Sequence, residues 1–327
     1  MITFLIRRLL FMVVTVVFIS MISFVLIELP PGSALDAKLQ QFRSRGLNVT
    51  SDVVKSLEER YGINDPIYTK YWKWISHAVY GDFGQSFYLD QPVSGLIGSR
   101  IWFSIGMSTA ALLFAWLVAI PVGVYSATHR NSLPDYLITV MQFLGVAIPE
   151  FLLAIVLMFV ASWYFGVEVG VLYSKAYRDA PWSVGKLLDL LSHLWLPVVV
   201  IGTHSTAWLT RVMRANLLDV MGAQYVQTAR SKGLGERAVV WKHAVRNALH
   251  PLVMALGATL PALISGEVIV SIVLNLPTTG PLYVQALINK DMYLAITFLL
   301  FLSILLVVGN LLADLALAWL DPRVRLE

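Results

Sequence analysis

The sequence predicts an all-α integral membrane protein with six membrane-spanning helices, and three observations carry that prediction. Hydrophobic residues make up 57% of the 327, and the mean hydropathy of +0.72 exceeds that of an ordinary soluble domain. Long apolar runs recur six times, at about 9–29, 101–127, 137–166, 194–209, 252–274 and 294–320. The segments joining these runs alternate in charge. One set (the N-terminus, 126–136, 210–251 and the tail after 320) holds twelve Lys/Arg against five Asp/Glu. The other (30–100, 167–193 and 275–293) is much longer and holds twelve against eleven. The positive-inside rule then places both termini and the 210–251 segment in the cytoplasm.

The chain divides accordingly into an N-terminal tail and first helix (1–29), an extracytoplasmic loop subdomain (30–100), a core with helices two to six (101–320) and a cytoplasmic tail (321–327). Arg7 and Arg8 before an apolar run would also suit a cleaved signal peptide. The run is a full bilayer crossing and Pro30-Pro31-Gly32 is a poor cleavage context, so the expectation is a retained helix. Two short helices fit into the loop. The first has Ser51 or Asp52 as N-cap, Val53, Val54 and Leu57 on one face and Gly62 as its stop. The second begins at Asp65-Pro66, a cap followed by proline at the first helical position. Its Tyr71, Trp72, Trp74 and Tyr80 suit the water–lipid interface, with a sugar-stacking platform as the alternative. After the fifth run, Leu276-Pro277-Thr278-Thr279-Gly280-Pro281 reads as a turn leading into a short segment at the membrane edge.

Several chemistries are excluded or unsupported. No cysteine occurs, which removes disulfides, thiolate metal sites and cysteine nucleophiles. The six histidines lack the i, i+4 pairing of a helical zinc site, and there is no phosphate-binding P-loop motif. No metal or cofactor is expected on this chain. If ATP drives it, the ATPase is another polypeptide.

Four acids interrupt the apolar runs: Glu28, Glu150, Glu267 and Asp314. An unpaired carboxylate in lipid is unfavourable by about 2.5 kcal/mol or more, so each must face protein, a cavity or the interface. Glu28 is near the end of its run. Glu150 follows Pro149, expected to kink or break the third span. Glu150 and Glu267 serve either inter-helix pairing or the lining of a path. Thr203-His204-Ser205-Thr206 in the fourth run is open to the same two readings.

The polar, basic stretch 222–251 lies between two apolar runs. Arg230, Lys232, Arg237, Lys242 and Arg246 there face a single acid, Glu236, and Gly233 and Gly235 separate two helical patterns. In the second pattern Val240, Trp241, Ala244, Val245 and Ala248 share one face, with Lys242, His243, Arg246, Asn247 and His250 on the other. In the first, Val226, Ala229 and Gly233 share a face of small residues suited to a protein groove. A basic amphipathic helix lying on anionic headgroups is the competing reading.

The stretch resembles the EAA loop of permease subunits of ABC-type importers, in the oligopeptide-type form. The match runs through Tyr225-Val226, Thr228-Ala229-Arg230, Lys232-Gly233-Leu234, His243-Ala244, Arg246-Asn247-Ala248 and Pro251. Gln227-Thr228 and Val245-Arg246 depart from the general Glu-Ala and Leu-Pro. Gly81-Asp82-Phe83-Gly84-Gln85-Ser86 resembles a motif of the same family's first extracytoplasmic loop, and the segment after the fifth span resembles its counterpart, with Leu-Pro-Thr-Thr-Gly in place of Trp-Pro-Gly-Leu-Gly.

The resemblance implies a permease subunit that shares a translocation path with a second homologous permease. One or two cytosolic ABC ATPase subunits holding ATP and Mg, an extracytoplasmic solute-binding protein and membrane lipid would be its partners, without nucleic acid. It implies coupling to the ATPase through Tyr225, Ala229, Arg230, Lys232, Gly233, His243, Arg246 and Asn247. The chain itself would not be an enzyme. Oligopeptides are the implied solute, with oligosaccharides or nickel carried by other subgroups. The competing function is a proton-coupled secondary transporter using Glu150, Glu267 and His204. That reading expects internal inverted repeats, and none is found.

Overall fold

The computed structural model describes residues 2–29, 38–39, 42–43, 54, 65–166 and 170–320, and among them the only β-bridge joins Gln85 to Pro92. The first short helix expected between 51 and 62 lies outside the described residues except for Val54. In chain order the helices are α1 (Ile2–Glu28), α2 (Ile67–Ala78), α3 (Val93–Thr128), α4 (Leu133–Ala147), α5 (Glu150–Phe165), α6 (Val184–Met221) and α7 (Gln224–Ser231). Then come α8 (Glu236–Ala238), a π-helical turn π1 (Val239–Ala244), α9 (Val245–Ala248), α10 (His250–Val273), α11 (Thr279–Ile288) and α12 (Met292–Leu320). Among the described residues, five helices are long and apolar enough to cross a membrane, and α4 with α5 makes a sixth span if the pair is counted as one. Leu10, Phe11, Phe18 and Leu26 of α1 are exposed, as side chains that meet lipid rather than water should be.

Two expected spans prove much longer. The 36 residues of α3 and 38 of α6 extend about 54 and 57 Å at 1.5 Å per residue, against a hydrocarbon core of about 30 Å. Hydropathy marks only the part in lipid, whereas a helix propagates wherever the next hydrogen bond and packing contact are available. The third span departs in the other direction. Ile148 is driven to an extended conformation (ψ 122°) by the proline after it, and α4 and α5 meet at 107°. Pro149 therefore ends one helix and starts another instead of kinking one.

The described residues form two compact units. The first comprises 105–276 with 308–320. Its α6 packs against α4, α5 and α10. Small residues allow close helix crossings in this unit: a Cβ on Gly309 of α12 would lie 2.9 Å from the Gly257 carbonyl of α10.

The second unit comprises 2–104 with 277–307. Here α2 lies along the end of α1, with Phe24 edge-on to Tyr71, the Ser20 and Tyr71 hydroxyls 2.8 Å apart, and Lys70 ion-paired with Glu28. Glu28 is thus satisfied at the end of its span. The expected Asp65 cap does not form. Pro66 occupies the N-cap position without a side-chain bond, and Asp65 pairs with Lys73 at 2.6 Å. The 81–86 motif makes a tight turn with Gly81 and Gly84 both at φ +85°, and Asp82 accepts the Gly84 N–H. A Cβ at Gly84 would press on the Tyr293 ring at 3.3 Å. The turn aims Ser86 at Asp291, a fully buried carboxylate that accepts the Ser86 hydroxyl and the N–H groups of Tyr88 and Leu294. After the fifth span, Ser104 Oγ accepts the Thr279 N–H at 3.0 Å and fixes the start of α11.

Burial raises the Asp291 pKa above its ordinary value of 3.8, and the bonds from Ser86 and the backbone only partly oppose it. A raised carboxylate binds more protons folded than unfolded, so its contribution to stability is present below its unfolded pKa and is lost as pH rises through the folded one. Melting curves of Asp291→Asn are expected to lack this fall with rising pH. Parallel pH profiles for wild type and variant would show that the carboxylate is not the source.

Candidate functional site

The 222–251 loop is built as two helices closed by two clasps. At the end of α7 the Gly233 N–H bonds to the Arg230 carbonyl (2.9 Å) and the Leu234 N–H to the Ala229 carbonyl (3.4 Å), with Gly233 at φ +76°. This is a Schellman stop, which selects glycine for its left-handed conformation. The Arg230 guanidinium then reaches over the turn to Glu236 with both Nε (3.1 Å) and Nη2 (2.6 Å). That fork holds the Glu236 pKa below its ordinary value and raises that of Arg230. Asn247 Nδ2 donates to the Tyr225 hydroxyl at 2.7 Å, tying α7 to α9.

The inward face of the loop is dry. Val226, Ala229, Val239, Val240, Ala244, Val245, Ala248 and Leu252 pack with Ala115, Ala119, Val124 and Ala127 of α3 and with Leu209, Met213 and Leu217 of α6. This corrects two expectations. Val226 and Ala229, at 6% exposure for the latter, face their own chain rather than a partner's groove, because the long α6 supplies an apolar surface first. A Cβ added to Gly233 would meet nothing within 4 Å, so its backbone angle, not close approach, requires glycine.

The outward face presents residues 231–238 continuously, together with Tyr225, Trp241, Lys242 and Arg246. Leu234 and Trp241 are 43% and 48% exposed. Trp241 leaves the apolar face assigned to it because π1 turns more slowly per residue than an α-helix and shifts the phase. Of the residues expected to couple, Tyr225, Lys232, Gly233 and Arg246 are exposed, Arg230, His243 and Asn247 are half-buried, and Ala229 is buried. The structure brings all eight into one folded loop. Leu234 belongs to the matched motif but is not among the residues expected to couple, although an apolar residue isolated between two glycines is a signal for it.

The polar residues of the spans separate. Glu267 is 0% exposed and accepts a bond from the Ser108 hydroxyl (3.3 Å). Glu150 begins α5 just after the sharp bend, with a carboxylate oxygen 3.2 Å from where a Cβ of Gly266 would stand. His204 is exposed on α6. The Thr203 and Thr206 hydroxyls bond back to the carbonyls of Val199 (2.6 Å) and Gly202 (2.7 Å) of their own helix.

Apolar spans, one of them sharply broken, with a compact polar loop packed on the extended ends of two helices, define a helical integral membrane protein. The chain belongs to the family described as binding-protein-dependent transport system inner membrane component, whose model matches residues 119–326, and the corresponding N-terminal model matches 1–108. It is 34% identical over 322 residues to an oligopeptide transport system permease protein of Bacillus subtilis, covering 98% of each chain. It is 30% identical to an oligopeptide transport system permease protein of Haemophilus influenzae, covering 99% of this chain and 100% of that one. A glutathione transport system permease protein of Escherichia coli is also 30% identical, with 99% of each covered. The protein is thus a multi-pass inner-membrane permease subunit of an ABC importer and works with ABC partner subunits. The comparisons support this reading and not the proton-coupled secondary transporter.

Proposed function

We propose that the chain admits a peptide-type solute through a path shared with a second homologous permease, and that the outward face of the 222–251 loop docks on a cytosolic ATPase. One observation carries the docking reading: the loop's apolar face is already buried in its own chain, while Leu234, Trp241 and the basic residues remain outside. A helix held on a lipid surface needs its apolar face free to enter the headgroup layer. A protein groove can instead take the aromatic and leucine side chains, with acids opposite Lys232, Arg237 and Lys242.

In this reading one or two ATPase subunits hold ATP and Mg, the permease chain performs no catalysis, and both termini lie in the cytoplasm. An extracytoplasmic binding protein delivers the solute. The names of the relatives support peptides, including glutathione, over oligosaccharides or nickel. Glu150 and His204 line the path, and Glu267 positions α10 beside it.

Because the chain has no cysteine, a single one reports its own surroundings. Leu234→Cys is expected to cross-link to a co-expressed ATPase subunit, and Trp72→Cys is not. A cross-linker that finds only lipid at position 234 would return the lead to the membrane-surface reading.

A further inference from the structure

We propose that Asp135 and Arg214 form the positioning pair that carries displacement of the docked loop into α4 and on to the bend at Ile148-Pro149. The inference rests on the docking reading above. Asp135 stands in the first turn of α4 at 2% exposure. Arg214 Nε donates to its Oδ1 (2.9 Å) and Nη2 to its Oδ2 (2.8 Å). The buried Ser126 hydroxyl at the end of α3 and the Asn131 N–H (2.9 Å) of the intervening turn complete the cage. Four donors on one carboxylate fix position and direction together, as a single mobile ion pair does not.

What the pair joins gives it this role. Met213, adjoining Arg214, and Leu217, less than one turn on, belong to the cluster that receives Val226, Ala229, Val240 and Ala244 of the loop. Arg211, one turn earlier, lies over the Phe143 ring of α4 at 4.9 Å. One side of this stretch of α6 is therefore packed on the loop and another is bound to α4. Following α4 leads to the 107° bend and to Glu150 against Gly266. Packed helices shift as bodies rather than deform, so a bond that fixes α4 to α6 decides whether α4 follows.

The test uses the full complex of permeases, ATPase and binding protein, with spin labels at Gln227→Cys or Phe151→Cys, both exposed positions outside the docking anchors. Mg-ATP with vanadate is the probe. Wild type is expected to show a nucleotide-dependent change at both labels. Asp135→Asn and Arg214→Lys, compared only in complexes of wild-type subunit content, should keep the change at 227. At 151 it should fall at least fivefold, and binding-protein stimulation of ATP hydrolysis should fall at least tenfold. Arg214→Lys keeps the charge but not the two-point bond, so a purely charge-balancing role would leave both readouts intact. A normal response at 151 in both variants overturns the pair's role alone. No response at 227 in wild type overturns the docking reading and the pair's role with it. If Asp135→Asn does not assemble, Arg214→Lys alone decides.

Discussion

Trp241→Ala combined with Leu234→Ser is expected to strip the ATPase from the complex while the permease stays folded and inserted. Both side chains are about half exposed, so their removal leaves the buried cluster beneath the loop intact. Buried aromatic anchors at protein interfaces commonly contribute about 2 kcal/mol or more each. That weakens binding about 30-fold for one anchor alone. Co-elution of the ATPase in size-exclusion chromatography and titration of purified ATPase against the reconstituted permease give the two measurements. Ala244→Leu is the contrasting variant. Ala244 is fully buried inside the loop, and the added atoms should unfold it rather than only release a partner. ATPase retention at the wild-type level in the Trp241/Leu234 variant would sink the docking face. Gly233→Leu makes a poor substitute, since its φ of +76° strains any side chain whatever the loop touches.

Gly257→Leu is expected to destabilise the folded permease severely and to lower its melting temperature far more than Gly266→Ala does. A Cβ there would stand 2.8 Å from the Asn310 Cα, and the reciprocal one on Gly309 is 2.9 Å from the Gly257 carbonyl. Both obstacles include backbone, which cannot swing aside. Helices in lipid associate by close packing rather than by a hydrophobic drive, so separating α10 from α12 removes what holds them. Overpacking usually destabilises by about 1 to 3 kcal/mol, and this site belongs at the upper end or beyond. Gly266→Ala should be milder, because its nearest neighbour is the Glu150 carboxylate at 3.2 Å, the end of a side chain that can turn away. Thermal unfolding followed by tryptophan fluorescence in detergent ranks the two. Equal melting temperatures would show that the crossing at Gly257 tolerates added atoms.

Some of the site was legible in the residue order and some was not. The two glycines and the basic residues marked a loop of two helices with Glu236 as the one acid among five bases, but that Arg230 is the base it pairs with was decided by the turn at Gly233. The π turn left no such mark, so Trp241 was assigned to the wrong face. Asp291 and Ser86 are 205 positions apart and Asp135 and Arg214 are 79, so neither pair shares a local pattern.

By itself the sequence determined the membrane solvent, the number of apolar runs and the polar loop among them, because hydropathy and charge are summed over neighbouring residues. It also determined that Pro149 interrupts a helix, since the constraint on Ile148 is covalent and local. The tertiary structure alone decided how far α3 and α6 continue past their apolar runs, and that the interruption is a 107° turn. It decided as well which face of the loop remains outside. An apolar face buries against whatever surface reaches it, and the surface that reaches Val226 and Ala229 comes from α3 and from α6. No window of sequence contains that surface, because its residues are brought together only when the helices pack.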